Sequence, residues 1–562
     1  MTVATMTRQT KISLTVFSVA FLIYLAIGVL LAYRGIFLGD ALSRLQSAQS
    51  VLFSRSPGLV DIGFVFTPLS TVSALPFVAL SPWIPAMTDR ALAGVIVSAL
   101  FTAGAVLQVW WTGLDRGLRT PYLATVTALF ALNPLVIFYA VSGMSEGPFL
   151  FAMAWATRRL MRFLRTDDVH DLMAGGIAVA VGFLARYDGL VAAAVGAAFV
   201  AVVTATRRAD PTVPTSPRHR FARAVTDTAV FLFPITVAAA VWFAASWLTT
   251  GIISAQVSGS YGNAAILESS GGVDSGLSAA RDAVARILLL SPGGIVLIVV
   301  LGVVGRRRRA VGGVVPMVLL GAVLIFQVAS AVAGSTFGLL RFFIIAVLLV
   351  TVLALAVPAA NGNIATRRPG RGRRDRGTVS GIIRPALTNA MVIVLLVAGT
   401  VSTTAAMTSK RWAPQEYALA AETPLASQMS AADLEDRQAV LRTWGTERRL
   451  AQFLDEKDLP AGSVLLDTTY GFPVVLFSSR PETFVIPSDP DFVTILSSPW
   501  ERGVRYILTV PPEGRGATDA VNLRYPTIWD NGGGVGTLDL SVPNDGAGQP
   551  DFRLYRVRET TE

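Results

Sequence analysis

Six residues have the types and positions to do chemistry at the edge of a membrane: Asp40, Asp61, Glu146, Arg186, Asp188 and Arg341. Asp40 stands in YRGIFLGDALSRL, just after a long apolar run, where a chain leaving a bilayer meets water. A carboxylate fixed there reaches both a lipid-borne group and a water-borne one. Asp61 follows in the same stretch. Arg341, in GSTFGLLRFFIIAV, opens a late apolar run. A guanidinium in a partly dry site grips phosphate by paired hydrogen bonds; the plainer reading is an anchor that snorkels to headgroups. Glu146, in VSGMSEGPF, is either a pocket acid or part of a polar turn shaped by Gly143, Gly147 and Pro148. Arg186 and Asp188, in LARYDGL, are either pocket residues or a snorkelling and capping pair.

The elements that must position these groups follow from composition. Of 562 residues 52% are hydrophobic and only 15% charged, with a mean hydropathy of +0.56. A soluble chain carries about 25% charged residues, so this is a polytopic α-helical membrane protein. The net charge of +10 comes from arginines clustered between apolar runs, a pattern of loop orientation and not of a nucleic-acid face. There is no cysteine, which excludes disulfides and thiolate chemistry, and the two histidines, His170 and His219, fall in polar loops.

Apolar runs fall near 12–33, 90–111, 121–139, 147–164, 172–186, 189–206, 225–248, 292–305, 312–333, 341–358 and 386–407, giving about eleven transmembrane helices. The first lacks a cleavage pattern and reads as a retained span. The stretch 65–80 is interrupted by Pro68 and Pro76 and reads as an interfacial or re-entrant part of a first external loop, 34–89. With the amino terminus in the cytoplasm, the arginine clusters at 158–165, 207–223, 306–309 and 367–376 all fall inside, as the positive-inside rule requires. All six candidate residues then share one external face. A version with 65–80 as a further span and the amino terminus outside also satisfies the rule, and puts Asp40 in the cytoplasm.

Within the first loop, Leu42, Leu45, Ala48 and Leu52 recur at helical spacing, so an amphipathic helix lying on the membrane surface is expected. The Ser- and Gly-rich loop 249–292 reads as a lid, and 361–381 as a polar cytoplasmic linker attracted to anionic lipid. Residues 1–407 thus form a transmembrane domain. After it, 408–562 change character: a polar helical stretch over 432–458, then β-like runs at 463–468, 483–487, 504–510, 535–542 and 552–557. A soluble extracytoplasmic α/β domain is expected there.

The order of these parts resembles the GT-C superfamily of polyprenyl-phosphate-dependent glycosyltransferases: an acid opening the first external loop, the prolyl segment FTPLSTVSALPF, the stretch NPLVIFYAVSGMSEGPF, an arginine before a late span, and a soluble carboxyl-terminal domain. The resemblance implies a cell-membrane enzyme that moves a sugar, with inversion, from a polyprenyl-phosphate donor to a glycan, lipid or protein acceptor of the cell envelope. It implies that Asp40 is the catalytic base and Arg341 a phosphate ligand, with Glu146, Asp188, Arg186 and Asp61 in the substrate site. The family's first-loop acid is commonly paired; here Asp40 is followed by Ala41, which leaves a divalent metal open. The alternatives are a transporter or flippase of lipid-linked precursors, which usually shows inverted repeats, and a non-catalytic envelope-assembly protein.

Overall fold

The structure, a computed structural model, describes residues 7–207, 216–259, 262–269, 272–308, 313–360 and 385–559; the linker 361–381 lies outside them. A bundle of apolar helices is followed by a small domain built on a five-stranded sheet. Each apolar run of the sequence is helical, and the chain passes back and forth between two ends of the bundle. The passes are α1 (Arg8–Tyr33), α4 (Leu92–Asp115), the pair α5 (Thr120–Ala131) and α6 (Pro134–Val141), α7 (Glu146–Thr166), α8 (Val169–Ala185), α9 (Asp188–Thr206), α10 (Pro217–Thr250), the pair α11 (Gly276–Leu290) and α12 (Gly294–Arg308), α13 (Val314–Val332), α14 (Ile345–Ala360) and α15 (Pro385–Met407).

Among the described residues seven helices are long and apolar enough to cross a membrane, or nine if each bent pair counts as one span. The α7 helix, which carries Arg158, Arg159, Arg162 and Arg165, and α8, with 17 residues, fall outside that set although they pack closely on each other. The 60° bend between α5 and α6 has a local cause. Asn133 accepts from the Leu135 and Val136 amides (3.1 and 3.4 Å) and Pro134 occupies the first helical position, so a new helix starts there.

Between α1 and α4 lie α2 (Gly39–Phe53) and the ten-residue α3 (Leu69–Val78). Ten residues rise about 15 Å, half the hydrocarbon thickness. The apolar face expected for α2 is buried, with Leu42, Leu45 and Ala48 inaccessible. So is much of its polar face: Arg44, Gln46, Gln49 and Ser50 are all buried. The helix therefore does not lie open on a membrane surface; it is a slab between the bundle and the carboxyl-terminal domain. The loop 249–292 also differs from expectation, since α11 occupies much of it and turns Ala279, Ala283 and Leu290 inward against α13 and α15.

In the carboxyl-terminal domain α16 (Ala431–Leu441) and α17 (Gly445–Glu456) replace a single polar helix. At the break, Trp444 donates to the Phe37 carbonyl (3.1 Å) and packs on Gly39, where a Cβ would crowd its ring at 3.1 Å. The strands β1 (Val464–Leu465), β2 (Phe484–Val485), β3 (Tyr506–Thr509), β4 (Gly536–Val542) and β5 (Phe552–Val557) each lie inside a β-like run of the sequence. Their order is β2-β1-β3-β5-β4. β2 and β3 flank β1 in parallel, and β5 runs antiparallel to β3 and β4, with an irregularity at Leu538/Leu540. The helix α18 (Thr468–Phe477) follows β1 and packs on α2, where Gln49 donates to the Leu476 carbonyl (3.3 Å). Arg55 pairs with Asp491, and Arg448 with Asp89.

Candidate active site

The carboxylates of this site stand in first turns of helices: Asp40 in α2, Glu146 in α7 and Asp188 in α9. Backbone N–H groups at these helix starts carry partial positive charge, which favours an anion. The arginines stand just before helices, Arg186 ahead of α9 and Arg341 in the 3₁₀ turn Leu340–Phe343 ahead of α14. Close approach of the elements depends on Gly143, whose φ of +74° suits glycine and where a Cβ would press on Ala41 and Gly94.

Charges of opposite sign alternate through the cluster. Arg341 Nη2 donates to Asp40 Oδ2 at 2.7 Å, and its Nε lies 3.9 Å from Glu146 Oε1. Arg186 donates to Glu146 Oε1 and Asp188 Oδ2, both at 2.8 Å. Gln327 Nε2 donates to Asp188 Oδ1 at 2.9 Å. Arg44 donates to the Asp40 carbonyl at 3.1 Å and stacks 4.1 Å from the Phe66 ring centre. Its Nη1 and Arg341 Nη1 both approach Met144 Sδ (3.9 and 3.7 Å). Glu416, from the segment after the last helix of the bundle, accepts a hydrogen bond from Tyr139 and lies near enough to Arg341 and Glu146 to feel their charge.

Two features make this more than a structural network. Glu146, Glu416 and Arg341 are almost fully buried, yet Glu146 Oε2, Glu416 Oε2 and Arg341 Nε find no hydrogen-bond partner among the described residues. Buried polar groups left so are costly and rare. The Asp40 side chain, enclosed by its neighbours, stays 37% accessible. Burial alone would raise its carboxyl, but the charges of Arg341 and Arg44 outweigh this and hold it below the usual carboxylate range. Burial pulls Arg44 down to about 10, so it remains a cation near neutrality. Burial likewise raises Glu416 above its ordinary value.

The structure thus brings Asp40, Glu146, Arg186, Asp188 and Arg341 together and leaves Asp61 apart. Asp61 accepts from Ser54 (3.3 Å) and bonds with Ser488 of the carboxyl-terminal domain; it belongs to the contact between domains. Arg44, Glu416, Tyr139 and Gln327 are members that the sequence reading does not single out. For Arg44 a signal exists: it follows Asp40 by four residues, one helical turn, and so shares its face. Nothing local marks Glu416. As for a metal, no three His, Asp or Glu side chains converge among the described residues, and guanidinium groups separate the acids. This donor set does not fit a divalent cation.

The sequence matches no protein-family model and no curated protein. Solved structures similar to it include two of an archaeal oligosaccharyltransferase. One is the archaeal oligosaccharyltransferase AglB from Archaeoglobus fulgidus in complex with an inhibitory peptide and a dolichol-phosphate: 10% identity, TM-score 0.39, covering 92% of this chain and 72% of that one. The other is the Archaeoglobus fulgidus oligosaccharyltransferase tethered to an acceptor peptide containing the NVT sequon, with the same identity and TM-score, covering 96% of this chain and 74% of that one. Likeness at that TM-score transfers neither a residue role nor an activity.

Proposed function

We propose that this chain is a cell-membrane glycosyltransferase of the GT-C type, which moves a sugar from a polyprenyl-phosphate donor to a hydroxyl of a cell-envelope glycan, lipid or protein acceptor. The observation that carries this reading is the 2.7 Å pair between Asp40 and Arg341, 301 residues apart, in a cluster whose buried acids keep unfilled oxygens while Asp40 stays accessible. The donor phosphate takes the place of the Asp40 carboxylate on Arg341, with Arg44 adjacent. Asp40, released from its strongest partner, becomes more basic and faces the acceptor hydroxyl. The acceptor oxygen bonds to the anomeric carbon as the carbon–oxygen bond to phosphate breaks. Its proton passes to Asp40, the bonding pair stays on the polyprenyl phosphate, and the configuration inverts. Fixed guanidinium donors meet the charge that develops on the leaving phosphate. Glu146 and Asp188 hold Arg186, and Gln327 holds Asp188, so the cluster keeps its shape when the phosphate leaves.

The site end of the bundle, together with the carboxyl-terminal domain, faces the outside of the cell in this reading, and the arginine-rich end faces the cytoplasm. The test is incorporation of labelled sugar from a panel of polyprenyl-phosphate donors, comparing wild type with Asp40→Ala. Transfer by wild type and its loss in the variant is expected. Equal transfer by both removes Asp40 as base, and no transfer by wild type with any donor favours a transporter or a scaffold.

A further inference from the structure

The carboxyl-terminal domain contributes a structured loop to the neighbourhood of Asp40. β1 sits between two parallel strands: the chain leaves β1 to form β2 on one side, then returns to form β3 on the other. In open α/β sheets the crevice at the carboxyl ends of such strands, where the connections part, is where ligands bind. Here that crevice is walled by the start of α18, with Asp467 and Tyr470, and by the loop 510–519 that follows β3. The loop also touches the short helix Asn263–Ser269 from the bundle's own 249–292 connection, while α18 rests on α2, the helix that carries Asp40.

The loop is held in one shape from within. Asn522, in the short helix α19 (Ala520–Arg524), donates to the carbonyls of Val510 (3.0 Å) and Gly516 (2.9 Å) and accepts from Thr509 (2.9 Å). Asp467, which caps the start of α18, accepts from the Ala520 amide at 2.9 Å. A Cβ at Gly516 would come within 2.0 Å of the Pro511 carbonyl oxygen, so only glycine closes this turn. At its tip Arg515 lies half-buried, 5.3 Å from the Tyr470 ring centre, and its guanidinium has no ion pair or hydrogen bond among the described residues. Its charge acts on the Asp40 carboxylate.

The charge count says what such a cation is for. Asp40, Glu146 and Asp188 balance Arg44, Arg186 and Arg341, and Glu416, whose carboxyl burial raises, adds no positive charge, so the inner cluster has no surplus positive charge to offer a phosphate. We infer that Arg515 is a phosphate ligand which the carboxyl-terminal domain adds to the site, supplying the missing positive charge. The inference rests on the donor reading above, and it makes the carboxyl-terminal domain part of the binding site for the phosphate group.

The test measures binding by the purified full chain in detergent, with a short isoprenoid monophosphate and inorganic phosphate as probes. Arg515→Gln is expected to weaken the isoprenoid phosphate about tenfold or more, the loss of one charged hydrogen bond. Arg515→Lys should recover part of that loss, and Arg524→Gln, an exposed control on the same domain, should change nothing. Equal affinity in wild type and Arg515→Gln, with Arg341→Gln still weakened, would overturn the assignment to Arg515 and leave the donor reading standing. Failure of the wild type to bind either probe would overturn both. Competition by inorganic phosphate at comparable concentration would support a site for bare phosphate, and a strong preference for the isoprenoid form would support a lipid-linked one.

Discussion

The two ends of the helical bundle both gather acids and arginines, and they use them differently. At the end remote from Asp40, Asp115 meets Arg158 at 2.6 Å and Arg162 at 3.3 Å, Asp171 meets Arg159 at 2.8 Å and Arg162 at 3.0 Å, and Asp167 pairs with Arg207 and Arg223. Both oxygens of each of these carboxylates are engaged. At the Asp40 end, oxygens of Glu146 and Glu416 are left over. Carboxylates with both oxygens engaged fix loops, though Arg159 Nε there lacks a partner among the described residues; carboxylates with an oxygen to spare keep capacity to accept another hydrogen bond. The difference teaches that charge clustering alone does not single out a candidate site; here the leftover carboxylate oxygens stand beside an accessible carboxylate, Asp40.

The largest effect should come from the open end. Asp40→Asn keeps the shape of the side chain and removes the proposed base, so sugar transfer per folded molecule should fall about 10²- to 10⁴-fold, with a lowered melting temperature because buried Arg341 loses its charged partner; a comparable rate in the variant would erase the distinction between the two ends. Next comes a buried acid with a leftover oxygen and no arginine bonded to it. Glu447 in α17 accepts from Asn544 at 3.0 Å, its Oε2 is unpartnered among the described residues, and burial pushes its carboxyl up to about 7. A raised folded-state value means that stability is greatest at or below about pH 4.5 and declines as pH rises to about 7. Glu447→Gln should therefore stabilise the chain at pH 8, by up to about 3 kcal/mol, and do nothing at pH 4.5, as followed by thermal unfolding, with transfer unaffected at either pH.

At the closed end, Asp171→Asn should cost about 1–3 kcal/mol, discounted because Arg159 and Arg162 are about a third exposed. Transfer per folded molecule should be unchanged; a loss of rate without a loss of stability would show that the remote end also takes part in chemistry. Glu416→Gln should be milder, with transfer changed by about tenfold at most. Because burial raises Glu416, the glutamine imitates its protonated form, so the pH–rate profile should diverge from wild type only on the alkaline side. Last, the native chain has no cysteine, so single cysteines report sidedness directly. Val493→Cys, on the carboxyl-terminal domain, should react with an impermeant maleimide in intact cells, and His170→Cys, beside the remote cluster, only after permeabilisation.

Much of this was legible in the chain because apolar periodicity is local. The helical runs and the five short strands follow from which residues repeat and where Gly and Pro interrupt them. Asp40, Glu146, Arg186, Asp188 and Arg341 could be grouped because alternating passes put alternate connections at the same end. What could not be read was contact between distant parts. Asp61 is adjacent to the site in sequence, yet it faces Ser488, a partner found only once the carboxyl-terminal domain is docked. The polar side of α2 resembles a solvated face because nothing in DALSRLQSAQ announces that α18 will cover it. Glu416, in WAPQEY, has no neighbour in sequence to mark it; Tyr139, 277 positions away, does so in space.

That last pairing sets a limit on dissection. The segment holding Ala413, Glu416 and Tyr417 is buried against the bundle even though it follows the final apolar helix. A fragment ended at residue 407 would keep every hydrophobic helix and still open a gap beside Tyr139 and Arg341, so neither half is a finished module, and cutting at the apparent hydropathy border would cut through the wall of the candidate site.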